Sequence, residues 1–107
     1  MKQLVTATAK EQGVSSYVMH KIIGCESGYK TDIQSRYKYT ATNVPAGYSV
    51  GDREQSYGLV QIHLPAHPYV TEEEAVNPEF AVNFLAEGIA NGKAGWWSCY
   101  NQQIAML

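Results

Sequence analysis

The carboxylate of Glu26 stands where a helix would otherwise place an apolar side chain. Val18, Met19, Ile22 and Ile23 follow the i, i+3, i+4 spacing of one buried helical stripe. Seven residues on, a helix returns to within about 20° of its starting direction, so Glu26 continues the face that carries Met19 and Ile23. At a helix end such a carboxyl is partly desolvated yet still able to reach a cleft. Desolvation disfavours the charged form and raises the pKa. A general acid for glycoside cleavage needs that shift, because it must still hold a proton to give to the leaving oxygen. The same residues also allow a solvated glutamate on a frayed last turn.

Two more carboxylates, Asp52 and Glu54, are candidates for the partner with which an inverting hydrolase activates water, about 6.5–9.5 Å from the acid. Gly51-Asp52-Arg53-Glu54 also reads as a solvated turn with local ion pairing. His63 and His67 are separated by Pro65, so they do not share a helical face as zinc ligands would, and no metal site is expected. Cys25 and Cys99 lie too far apart for a CxxC motif. They form either a disulfide, which would imply an oxidising compartment, or two free thiols.

These groups must be positioned by one domain, since 107 residues suffice for a single core and not for two. With 45% hydrophobic and 17% charged residues the composition is globular, and no run approaches the roughly 20 apolar residues of a membrane span. The net charge of −2, with scattered lysines and arginines, leaves no basic footprint for nucleic acid. A monomer is expected. Met1 to Thr6 lacks the apolar run and cleavage pattern of a secretory signal, which implies a signal already removed or another route of export.

The ends of the chain read as helical and the middle as irregular. A first helix runs from about Lys2 to Gln12 and stops at Gly13, and a second is capped by Ser15 or Ser16 and ends at Ser27-Gly28. Tyr29 to Gln55 loses helical period and is expected to be loop, with a short hairpin around Tyr37 to Thr42. Ser56 to Ile62 is a short buried segment ended by Pro65 and Pro68. Thr71 and Glu74 have capping-box spacing. Asn77-Pro78-Glu79 starts a helix with Ala81, Phe84, Leu85, Gly88 and Ile89 on one face, closed by Asn91-Gly92. One more helix is expected from Trp96 to Leu107, with one of the adjacent tryptophans in the core.

Glu26-Ser27-Gly28-Tyr29 resembles the Glu-Ser-Gly-aromatic signature of the lysozyme-like superfamily, particularly soluble-type lytic transglycosylases and goose-type lysozymes. Ser56-Tyr57-Gly58-Leu59-Val60-Gln61-Ile62 is similar to that family's small-x-Gly-Leu-Met-Gln-Ile segment, a strand and turn lining the cleft opposite the acid. Asn77-Pro78, before a helix with Asn83, resembles the family's next helix start, and Cys99-Tyr100-Asn101 stands where those transglycosylases have Ala-Tyr-Asn. The matches keep the family order from about Ile22 to Asn101. The departures are His63 after the Gln-Ile pair and no glycine-rich continuation after Asn101.

The resemblance implies an α+β, mainly helical lysozyme-like fold over residues 1–107, with a small irregular β-hairpin region. It implies Glu26 as the acid and a peptidoglycan glycan strand as the partner, with no cofactor. Ser56, Tyr57, Gln61, Ile62 and His63 would line the sugar cleft, and Tyr100 would orient Glu26 through its hydroxyl. The alternative for Gln61 is a capped strand end, and for Tyr100 an ordinary core tyrosine. Tyr37, Tyr39 and Tyr48 suit a polysaccharide groove or pack on their own scaffold. A conventional animal lysozyme has its second carboxylate where this chain has Ser56, so the resemblance implies a lytic transglycosylase working with one glutamate. The alternatives are a hydrolytic muramidase using Asp52 or Glu54, and a catalytically silent wall-binding module. The implied place of action is the periplasm, the extracellular space or a phage-encoded lysin.

Overall fold

Among the described residues, five α-helices and one two-stranded sheet follow from local signals that are mostly short and polar. The computed structural model describes residues 1–104. Helix α1 (Lys2–Gln12) ends at Gly13 in the left-handed conformation, and α2 (Ser16–Ser27) begins where the Ser15 side chain accepts the Val18 N–H and ends at left-handed Gly28. Helix α3 (Glu72–Ala75) carries both hydrogen bonds of the Thr71–Glu74 capping box. Helix α4 (Pro78–Ala90) starts at Asn77, whose side chain accepts the Phe80 N–H, and α5 (Ser98–Gln103) follows a 3-10 turn at Ala94–Trp96. The helix expected from Trp96 to Leu107 is thus shorter at its start, and its last three residues lie outside the described residues. Among the described residues, no helix is long and apolar enough to cross a membrane.

Helix α1 packs on both α2 and α4, and α2 also packs on α5. The core between them takes Val5 and Ala9 from α1, Met19, Ile22 and Ile23 from α2, and Val82 and Leu85 from α4. Strands β1 (Ser56–Tyr57) and β2 (Ile62–His63) pair antiparallel, Ser56 with His63 and Tyr57 with Ile62. The turn between them is not a solvated tip: Leu59 and Val60 are fully buried in the same core. Two contacts pin it there. The Trp97 indole N–H donates to the Val60 carbonyl at 2.8 Å, and Gly58, at φ 85°, lies so close to α3 that a Cβ would meet the Ala75 carbonyl oxygen at 1.9 Å.

One expectation is corrected. The segment around Tyr37 to Thr42 does not pair with itself. Residues 34–39 instead run antiparallel to residues 51–57, with bridges Gln34–Tyr57 and Lys38–Arg53, and with Tyr39 N–H donating to Asp52 O and Glu54 N–H to Tyr37 O, both at 2.8 Å. The intervening chain closes in turns, one of them held by Asn43 Oδ1 accepting the Thr40 N–H. The expected face of α4 is the one that packs: Ala81, Leu85 and Gly88 are buried, Phe84 and Ile89 are half-buried against the core, and the buried face also takes in Val82 and Ala86.

Candidate active site

Glu26 lies in the last turn of α2, half-buried, one residue from a cross-link that brings a second helix to it. The Cys25–Cys99 disulfide joins α2 to the first turn of α5, with the two Cα atoms 5.9 Å apart. Of the two states open to these cysteines, the bridge is the one formed. Backbone N–H groups in a helix's first turn lack intrahelical acceptors, and Cys99 donates its own to Glu26 Oε2 at 3.3 Å. Burial raises the Glu26 pKa above its ordinary 4.5. The Cys99 N–H opposes that shift, and the Glu54 carboxylate adds to it.

Glu54 faces Glu26 across a groove. Two cavities, of about 280 and 460 Å³, meet where Glu26, Glu54, Gln61 and Ser98 line both. One continues toward Tyr39, Ser56 and His63, the other toward Ser35, Arg36 and Tyr37. The carboxyl thus lies partway along an open channel, not at a closed end. Glu54 is presented by the long-range pairing of the middle segment, its N–H donating to Tyr37 O and its carbonyl accepting from Gln34 Nε2 at 3.2 Å. Asp52 does not join it. Exposed in its own turn, it accepts the Ser49 N–H on Oδ2 at 2.9 Å, so of the two second-carboxylate candidates Glu54 is the one brought to Glu26.

Gln61 holds the floor. It adopts a left-handed φ of 51°, and its Nε2 donates to the carbonyls of Ile33 and Gly58 at 3.1 and 3.0 Å. Its donor side therefore fastens the turn to the loop after α2, and what it offers a ligand is its carbonyl oxygen. His63 Nε2 pairs with the Tyr39 hydroxyl at 2.9 Å, and that hydroxyl also accepts the Gln55 N–H at 2.9 Å. Burial lowers the His63 pKa while Glu54 opposes the shift, so the ring is a neutral partner for Tyr39 near neutral pH. Ser56 is buried in the groove wall, and Ile62 lines an adjoining cavity of about 250 Å³ together with His63, His67 and Trp96.

Tyr57 and Tyr100 are not where the sequence suggested. The Tyr57 hydroxyl donates to Gln55 Oε1 at 2.9 Å and its ring belongs to the core, because strand alternation turns it away from the face that Ser56 presents. Tyr100 packs on the core from α5, and the group that reaches Glu26 is the neighbouring backbone N–H of Cys99. Tyr37 and Tyr39 line the groove, and Tyr48 packs on Tyr39 with ring centroids 5.7 Å apart. Of the two tryptophans, Trp97 is core and Trp96 is 53% exposed at the groove. Sequence reasoning missed Ser98, Arg36 and Asn43, which carry no local motif and reach the groove through long-range pairing and the disulfide.

Among the described residues, no three His, Cys, Asp or Glu side chains are grouped to hold a metal ion. Comparison of the chain with protein-family models, with curated proteins and with solved structures finds no match in any of the three.

Proposed function

We propose that this protein cleaves the β-1,4 bond between N-acetylmuramic acid and N-acetylglucosamine in peptidoglycan, with a lysozyme-like fold and Glu26 as the acid. The observation that carries the reading is a desolvated carboxyl of raised pKa set partway along an open groove, the arrangement a chain-cleaving glycosidase requires. Glu26, from one stretch that resembles the lytic transglycosylases, and Ser56 and Gln61, from the other, line that groove together. The disulfide suits the oxidising surroundings in which wall-cleaving enzymes act.

In the mechanism, protonated Glu26 gives its proton to the glycosidic oxygen as the bond to the muramoyl C1 breaks. The resulting carboxylate then takes the proton of the muramoyl 6-hydroxyl, whose oxygen closes on C1 and leaves a 1,6-anhydro end. Glu54, facing the same groove, favours a second reading in which it activates a water that attacks C1 and leaves a reducing end.

Both readings predict that Glu26→Gln lowers release of soluble fragments from purified sacculi by at least about a hundredfold. Retained activity, or inactive wild-type protein that binds the wall as well as the variant does, would overturn the enzymatic reading in favour of a binding module. Mass spectrometry of the fragments separates the chemistries: 1,6-anhydro ends that persist in Glu54→Gln mark the transglycosylase, and reducing ends lost in Glu54→Gln mark the hydrolase.

A further inference from the structure

The hydrogen bonds that fix Glu54 are made to its main chain, so the place of its carboxylate depends on how the Glu54–Gln55 peptide group is held. That group is gripped on both sides. Its carbonyl accepts from Gln34 Nε2 at 3.2 Å, and its N–H donates to the Tyr39 hydroxyl at 2.9 Å. Tyr39 is only 2% exposed, so its own hydroxyl proton needs an acceptor inside the protein, and His63 Nε2 lies 2.9 Å away. With that nitrogen accepting, a neutral His63 carries its proton on Nδ1. The residue after His63 closes the grip, since Leu64 N–H donates to Gln55 O at 2.9 Å. Tyr39 is itself anchored at both ends of its main-chain unit, its N–H donating to Asp52 O and its carbonyl accepting the Gly51 N–H. Glu26, Tyr39, Glu54 and His63 all line one cavity. Burial is the largest influence on the titration of Glu26, Tyr39 and His63, and the Glu54 charge acts on all three, as it would from among them.

We propose that Tyr39 and His63 are positioning residues of the cleavage site: their hydrogen-bonded pair fixes the Glu54–Gln55 peptide group and so holds the Glu54 carboxylate against Glu26. The catalytic use of this clamp rests on the glycan-cleaving function proposed above. In the transglycosylase chemistry, a held Glu54 helps Glu26 keep its proton by repelling the charge that its loss would create. In the hydrolase chemistry, the clamp also sets the base at a fixed place for the attacking water. Neither Tyr39 nor His63 exchanges a proton with the substrate. His63 is where this chain departs from the segment it resembles, and the resemblance does not supply the clamp.

The test reads the Glu26 carboxyl directly, by NMR titration of protein with isotope-labelled glutamate carboxyls, the Glu26 signal being the one lost in Glu26→Gln. Tyr39→Phe keeps the ring and removes the hydroxyl. His63→Leu removes the acceptor, and His63→Gln returns one as an amide oxygen. Glu54→Gln is expected to make Glu26 titrate at lower pH. Tyr39→Phe and His63→Leu should move it the same way by at least half as far, and His63→Gln should bring it back. With Glu54→Gln already present, Tyr39→Phe should add nothing, because it acts through Glu54. A Glu26 titration that Glu54→Gln leaves unmoved, that neither Tyr39→Phe nor His63→Leu alters, or that Tyr39→Phe shifts equally with and without Glu54 would overturn the positioning role. The pair would then be scaffold, which lowers Tm without reaching Glu26. If Tyr39→Phe does not fold, the two His63 variants decide. On purified sacculi, the alkaline limb of the rate–pH profile should follow the same order among the variants. Protein that cleaves no sacculi while its Glu26 titration follows that order would overturn the cleavage reading and leave the clamp standing.

Discussion

Glu26 is held between two opposing influences, burial that favours its proton and a Cys99 N–H that favours its charge, with burial the larger. The consequence for stability has a definite sign. Well below pH 4.5 the carboxyl is neutral in the folded and the unfolded chain. As pH rises from there through the raised folded pKa, the unfolded chain ionises freely while the folded one resists, so stability is lost over that window. Glu26→Gln keeps an oxygen for the Cys99 N–H and never ionises. Its Tm should exceed that of wild type at pH 7, and the gap should close below pH 4.5 in calorimetry across pH. Activity should fall on the alkaline side as Glu26 loses its proton. In Glu54→Gln, which removes the neighbouring charge, that limb should move to lower pH in a rate–pH profile. The phase of Glu26 on the face of Met19 and Ile23 was readable from spacing. Its hydrogen-bond donor was not, because Cys99 lies 73 residues away and belongs to another helix.

The helix ends were readable because each depends on a few adjacent residues, as with Ser15, Thr71, Asn77 and the glycines 13 and 28. Thr71→Ala removes the hydroxyl that accepts the Glu74 N–H and donates to Glu74 Oε1 at an exposed helix start, and should cost about 1 kcal/mol in denaturant unfolding. The hairpin turn is a different case. Gly58 combines a positive φ with backbone contact against Ala75, so Gly58→Ala must push α3 away from the core. A loss of more than about 3 kcal/mol, or failure to fold, is expected in the same measurement. Gly88 has a related duty, since a Cβ there would come within 2.7 Å of the Trp97 ring that holds Val60. The expected Tyr37 to Thr42 hairpin failed for a physical reason. Those residues have ordinary strand propensity, and their hydrogen-bond partners, residues 51–54, lie beyond a loop whose closure leaves no local trace.

The disulfide binds the domain to its own groove. Closing a loop of this length, a sequence separation of 74, is worth up to about 4.5 kcal/mol in the chain-entropy account, and the same bond sets the α5 terminus against Glu26. Reduction, or Cys25→Ser with Cys99→Ser, should lower Tm by on the order of 10–20 °C. It should also lower activity at temperatures where the reduced protein is still folded, as circular dichroism and fragment release measured together would show. An unchanged rate in the reduced, folded protein would mean that the Cys99 N–H does not matter to Glu26.

Helical phase, caps, prolines and the two cysteines were present in the linear chain because each is a property of neighbours within one or two turns, and from them came the single mainly helical α+β domain and the unusual carboxylate. The tertiary structure chose among the options that local chemistry left open. It bridged Cys25 to Cys99, brought Glu54 and not Asp52 to the groove, turned Tyr57 into the core and Tyr100 against its edge, and set Trp96 between the Glu26 groove and a cavity on α4. Such choices depend on which distant surfaces exclude water together, and that is a property of the closed chain.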